Sequence, residues 1–212
     1  MIKSYYTVKG EGAHEIQIQK SRFIGHVMRT ETEEEAQNFI QKMKKKHHDA
    51  THNCSAYLIG EHNQIQKAND DGEPSGTAGV PILEVLKKKG LKDTTVVVTR
   101  YFGGIKLGAG GLIRAYSKST SEALNEIGIV HRQLMQEMKV IADYTLLGKL
   151  ENELRKSSYF LDRIEYLEHV EIYIYVPVEE VEVFTNWIID LTSDQANCKK
   201  GEQIYKEFDY RS

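Results

Sequence analysis

The sequence predicts an α+β protein built as two units. Three observations carry that prediction. Strand-like and helix-like runs are mixed along the first 130 residues. The last 80 or so read β-α-β-β-α-β, the split βαβ order. Charge divides unevenly between the two parts: residues 1–135 hold 19 Lys and Arg against 15 Asp and Glu, and residues 136–212 hold 9 against 16. The chain's net charge of −3 hides that asymmetry, which makes the first unit the better partner for a polyanion. The units are expected at residues 1–132 and 136–212.

The elements follow from pattern. Tyr5–Lys9, His14–Gln19 and Arg22–Arg29 read as strands. Thr32 and Glu35 form a capping box. Behind it Ala36, Phe39, Ile40 and Met43 recur at helical spacing, and Lys44 to His48 close the helix at its negative end. Asn53–Gly60 and Gln64–Asn69 flank a turn and read as a hairpin. Val80–Lys89 reads as a helix with Pro81 in its first turn and Gly90 as its stop. Thr94–Thr99 is a buried strand, and a helix is expected from Leu112. In the acidic part Met138–Ala142, Phe160–Tyr166, Val170–Val176 and Gln203–Phe208 read as strands, with helices at Tyr144–Lys156 and Val178–Leu191.

Composition sets outer limits. Hydrophobic residues make up 40% of the chain and charged residues 28%, as in ordinary globular proteins. No apolar run approaches the length that spans a bilayer. The first residues lack a signal-peptide core, and the two cysteines, Cys54 and Cys198, form no metal-like pair. The expectation is a cytoplasmic protein with free thiols, no membrane partner and no cofactor.

Three constellations carry possible chemistry. The first is a glycine-rich segment after the buried strand: Arg100, Tyr101, Phe102, Gly103, Gly104, Lys106, Gly108, Gly110, Gly111 and Arg114. Glycines admit a ligand close to backbone N–H groups, a helix N-terminus favours anions, and guanidinium forks suit phosphate. The segment ends in no Gly-Lys-Ser/Thr and has Ile113 where a dinucleotide loop has its third glycine, so neither nucleotide-loop pattern fits. A tight turn packing strand against helix remains the competing reading. The second is Asp70, Asp71, Glu73, Ser75 and Thr77, with His52 nearby. Carboxylates so close suit a divalent cation, and His52 suits a general base. The plainer reading has Ser75 and Thr77 capping the next helix. The third, His47, His48, His52 and Cys54, fits no standard zinc spacing, so no metal is expected.

Together THNCSAY, DDGEPSGTAGVPIL and VVVTRYFGGIKLGAGGLIRAY resemble the YigZ/IMPACT family, from about Ser21 to Leu124. The resemblance implies a ribosomal-protein-S5-domain-2-like N-terminal domain and a C-terminal ferredoxin-like domain similar to one in elongation factor G. It implies a link to translation: eukaryotic relatives restrain an initiation-factor kinase, in part through an extra N-terminal domain that is not expected here. It implies no catalytic mechanism. Many members carry Arg where this chain has Leu58, which removes one phosphate contact.

RNA or the ribosome is the favoured partner, bound without catalysis. A metal-assisted enzyme acting on a phosphorylated small molecule or nucleotide is the alternative. A third reading uses the acidic C-terminal domain to meet a basic protein. Convergence of the DDGE and glycine loops on one cleft containing His52 would favour the enzyme.

Overall fold

The structure is a computed structural model that describes residues 2–210. It is a mixed α+β fold that divides into two compact units. The first holds Tyr5–His131 with residues 208–210, and the second holds Ile2–Ser4 with Arg132–Glu207.

In the first unit β1 (Ser4–Val8), β2 (Gly12–Ile18) and β3 (Ser21–Arg29) precede α1 (Glu33–Lys46). The hairpin β4 (His52–Ile59) and β5 (Ile65–Asn69) leads to α2 (Gly79–Lys88), β6 (Thr94–Tyr101) and α3 (Gly108–Ile127). The sheet order is β2-β3-β6-β4-β5, antiparallel at each paired edge. Helices α2 and α3 bury Ile82, Leu86, Leu112, Tyr116 and Leu124 against one sheet face. Helix α1 covers the other with Ala36, Phe39 and Met43. β6 is therefore enclosed on both sides, which explains its unbroken apolar and threonine run.

In the second unit β7 (Ile129–Ala142), α4 (Tyr144–Lys156), β8 (Phe160–Tyr166), β9 (Val170–Pro177), α5 (Val181–Thr192) and β10 (Asn197–Tyr210) follow in order. Among these strands the sheet runs β10-β7-β9-β8, with antiparallel pairing where β9 meets β7 and β8. This is the ferredoxin-like arrangement expected. Its core holds Met138, Val140, Leu150, Ile172, Ile174 and Phe184.

Several boundaries move. Helix α3 starts at Gly108, four residues before the expected Leu112. Glycines cost roughly 1 kcal/mol each in a helix, which is why the pattern argued for a loop; buried Leu112, Ala115 and Tyr116 hold the turn in place. Helix α5 starts at Val181 rather than Val178, because residues 178–180 turn, with the Glu180 N–H donating to the Pro177 carbonyl at 2.8 Å. Strands β7 and β10 are longer than expected, since polar exposed positions hid their alternation.

The capping box forms as read at Thr32, whose hydroxyl accepts from the Glu35 N–H. Glu35 reaches back to the Glu31 N–H rather than to Thr32. At α2 the expected caps are not used. Ser75 is exposed and the Thr77 hydroxyl donates to the Pro74 carbonyl. Asp70 caps instead, at longer range. Its carboxylate accepts the N–H groups of Gly76 at 2.8 Å, Ala78 at 3.0 Å and Gly79 at 2.8 Å.

Burial pulls the Asp70 carboxyl upward, but the three backbone donors outweigh it and hold it below its ordinary value. A carboxyl so lowered stabilises the fold above the ordinary range and loses that stabilisation as pH falls through it. Asp70→Ala should cost about 1–2 kcal/mol of unfolding free energy near neutrality. The gap from the parent protein should narrow by about pH 3, below the ordinary carboxyl range. Denaturant titrations at both pH values check this.

Candidate functional site

The site lies where β6 ends. Register places Arg100 opposite His52 on β4 and opposite Phe23 on β3. Alternation along β6 then points Arg100 to the α3 side and Tyr101 to the α1 side. The predicted segment is thus split between two faces. The Tyr101 hydroxyl sits 3.0 Å from His47 Nδ1 and donates to Asp49, and Arg22 stacks on its ring at 4.7 Å.

Arg100 is buried, with its side chain 6% exposed. Its Nη1 donates to Glu73 Oε1 at 2.6 Å, and that oxygen also accepts the Tyr116 hydroxyl at 2.8 Å. Burial drives the Tyr116 phenol well above its ordinary pKa, so it stays a donor. The Arg100 guanidinium lies over the rings of Phe23 and Phe102, 5.4 and 5.3 Å from their centroids. Its Nε has no hydrogen-bond partner among the described residues.

The DDGE loop comes to this point because β5 returns it beside the start of β4. Asp71 adopts a left-handed φ of 44°, followed by Gly72 at 89°, and the chain reverses. The Asp71 carboxylate accepts the Asn53 N–H at 2.7 Å and pairs with Lys44 at 2.5 Å. The Asp71 carbonyl accepts from His52 Nδ1 at 2.8 Å. That bond fixes which ring nitrogen carries the proton, and Nε2 lies 3.8 Å from Glu73 Oε2. Beneath them the Cys54 thiol lies 3.3 Å from the Tyr116 hydroxyl, and burial pushes it up to about 12, so it is no nucleophile at neutral pH.

The glycine segment makes the opposite wall. A Cβ on Gly103 would overlap the Lys20 backbone, so that glycine serves close packing, as the tight-turn reading holds. Gly104 and Gly108 take left-handed φ values of 86° and 69°. Gly108 and Gly110 are exposed in the first turn of α3, whose N-cap, Leu107, offers no side-chain acceptor. Lys106 and Arg114 are exposed, and neither has an ion pair or hydrogen bond among the described residues. Phe102 is 44% exposed.

These walls enclose a cleft of about 420 Å³ that contains His52, Glu73, Arg100, Phe102, Lys106 and Gly108. The two loops and His52 therefore do converge. The three carboxylates do not act together: Asp70 caps α2, Asp71 holds β4 and Lys44, and Glu73 balances Arg100. Among the described residues no group of three His, Cys, Asp or Glu is placed to hold a metal ion. Sequence reasoning missed Tyr116 as a partner of Glu73 and Thr51 as a lining residue. The apolar spacing of α3 marks Tyr116 as buried, and a buried tyrosine hydroxyl needs a partner. Leu58 is fully buried six residues along β4 from His52, about 20 Å at strand rise, so the departure there does not touch the cleft. A larger hollow of about 620 Å³ lies in the second unit, but its Asp143 caps α4 and burial pushes its Cys198 up to about 11.

Removing one member of a buried ion pair strands the other. Glu73→Ala should destabilise the protein by about 3–5 kcal/mol, and the double variant Glu73→Leu/Arg100→Met should recover a large part of that loss. Chemical denaturation of the two variants and the parent decides it.

The Impact N-terminal domain family matches residues 19–124, and a domain of unknown function (DUF1949) matches residues 140–195. The chain is 64% identical to the IMPACT family member YvyE of Bacillus subtilis (strain 168), over 98% of this chain and 95% of that one. It is 33% identical to the IMPACT family member YigZ of Escherichia coli (strain K12), over 83% and 87%. A Protein IMPACT homolog of Dictyostelium discoideum shares 37% identity over 50% of this chain and 31% of its own. A crystal structure described as that of an hypothetical protein superposes with a TM-score of 0.60 at 30% identity, covering 95% of this chain and 99% of that one. The matches to both domains, with relatives of near-equal length, show that the chain belongs to the IMPACT family.

Proposed function

We propose that the first unit binds RNA, free or in the ribosome, and serves the regulation of translation without catalysing a reaction. One observation carries the reading. Lys106 and Arg114 stand exposed and unbalanced beside the uncapped start of α3, next to exposed Phe102. Exposed lysines unpaired among the described residues occur elsewhere on this unit, at Lys20, Lys45, Lys46 and Lys88, so what sets this pair apart is its place beside the uncapped helix start and the Phe102 ring. Unbalanced cations bind phosphate by releasing counterions, and an exposed ring stacks on a base whatever its sequence. The link to translation rests on the family resemblance.

The convergence of both loops around His52 favours a second reading, an enzyme acting on a phosphorylated ligand with His52 as acid–base. Its metal-assisted form finds no support in the geometry, because each DDGE carboxylate is committed to a protein donor.

Binding to a single-stranded RNA should weaken linearly on a log–log plot against salt. The variant Lys106→Ala/Arg114→Ala should flatten that slope by about 1.4, two contacts at about 0.7 each. Fluorescence anisotropy between about 50 and 200 mM salt measures it. An unchanged slope contradicts the reading.

A further inference from the structure

We propose that the cleft under Phe102 is a pocket for a phosphomonoester dianion: the 5′-phosphate of a nucleotide, either at the end of an RNA or on a free mononucleotide. The inference rests on the phosphate-binding reading above and narrows it from a basic face to one terminal group.

The donors converge from separate elements. Arg100 lines the cleft with its side chain 6% exposed, and its Nε finds no partner. Its Nη1 is committed to Glu73 while its Nε has no acceptor, so the guanidinium in the cleft wall keeps donor capacity that Glu73 does not use. Gly108 and Ala109, at the start of the 20-residue helix α3, line the same cleft. The backbone N–H groups of a first turn lack intrahelical partners and carry the positive end of the dipole. A Cβ built on Gly108 meets nothing within 4 Å, so a ligand oxygen has room there. Lys106 lines the cleft as an exposed ammonium. His52 lines it too, with its Nδ1 proton committed to the Asp71 carbonyl.

One lining group opposes an anion, the Glu73 carboxylate. Its charge is already balanced by Arg100 and its Oε1 also accepts from Tyr116. Lys106 remains as uncompensated positive charge in the lining.

Geometry favours a terminal phosphate over one inside a chain. Buried Arg100 and Glu73 floor the cleft, so an anion meets them from the open side. A terminal phosphate has a single ester link, three free oxygens and a second negative charge, which matches the donors arriving from β6, the Lys106 segment and α3. The volume of about 420 Å³ exceeds that of phosphate alone and falls in the range of small-ligand sites. Phe102 lines the same space and offers a ring to the attached nucleoside.

Calorimetric titration of the full chain tests the proposal with two matched pairs: a 5′-phosphorylated oligoribonucleotide against the same sequence ending in 5′-hydroxyl, and AMP against adenosine. The 5′-phosphate should improve oligonucleotide binding by about tenfold or more, a difference one well-placed charged contact supplies. Lys106→Ala should cut that preference below about threefold. Lys106 is exposed, so its variant tests the pocket without threatening the fold. Equal binding of both oligonucleotides, with AMP no better than adenosine, overturns the pocket and leaves RNA binding standing. AMP binding with no RNA affinity overturns the RNA reading and makes a free mononucleotide the ligand. A phosphate preference unchanged in that variant places the group elsewhere and overturns the assignment.

Discussion

The pairing of Glu73 with Arg100 is the constraint on which the first unit's cleft depends. β6 is covered on both faces, so its last residues emerge from a core rather than from a surface. An arginine there must bring a counter-charge or be expelled. The DDGE loop supplies it, and the Tyr116 hydroxyl from α3 joins the same carboxylate oxygen. One oxygen thus ties together the central strand, the loop after the hairpin and the helix after the glycines. Asp70 and Asp71 prepare the loop for this. The first caps α2, and the second fastens the turn to β4.

Above that neutral floor the electrostatics change. The floor spends its charges internally, while Lys106 and Arg114 on the surface are left unbalanced. A low-dielectric base under exposed cations favours anions over other solutes. The second unit differs. On its sheet Arg163 stacks on Tyr173 at 3.6 Å and contacts Glu137, Asp162 and Glu165, and Lys139 pairs with Glu171. Its acidic composition is partly spent on such local pairs.

Much of the fold was legible because periodicity reports burial directly. Tyr144–Lys156 and Phe160–Tyr166 agree to the residue, and the split βαβ order emerges from strand alternation together with the helical spacing of Leu146, Leu147, Leu150 and Leu154. The start of α3 was not legible, since glycine composition argues for a loop and only the packing of Leu112 and Tyr116 overrides it. The site was half legible. Glycines, cations and carboxylates were identified as types, but their roles depend on pairings far apart in sequence. Arg100 reads as a surface cation until register shows it buried, and Asp70 caps a helix nine residues on. Strand alternation alone sends Tyr101 away from Arg100, a signal present in the sequence once β6 is known to extend past Thr99.

The central claim is that ligand binding belongs to the cleft built on Glu73 and Arg100. The most direct measurement is a map of backbone amide chemical shifts during titration with a 5′-phosphorylated oligoribonucleotide. Shifts are expected to concentrate in Thr51–His52, Glu73–Pro74 and the segment from Arg100 to Arg114. Shifts confined to residues 136–207 would contradict it.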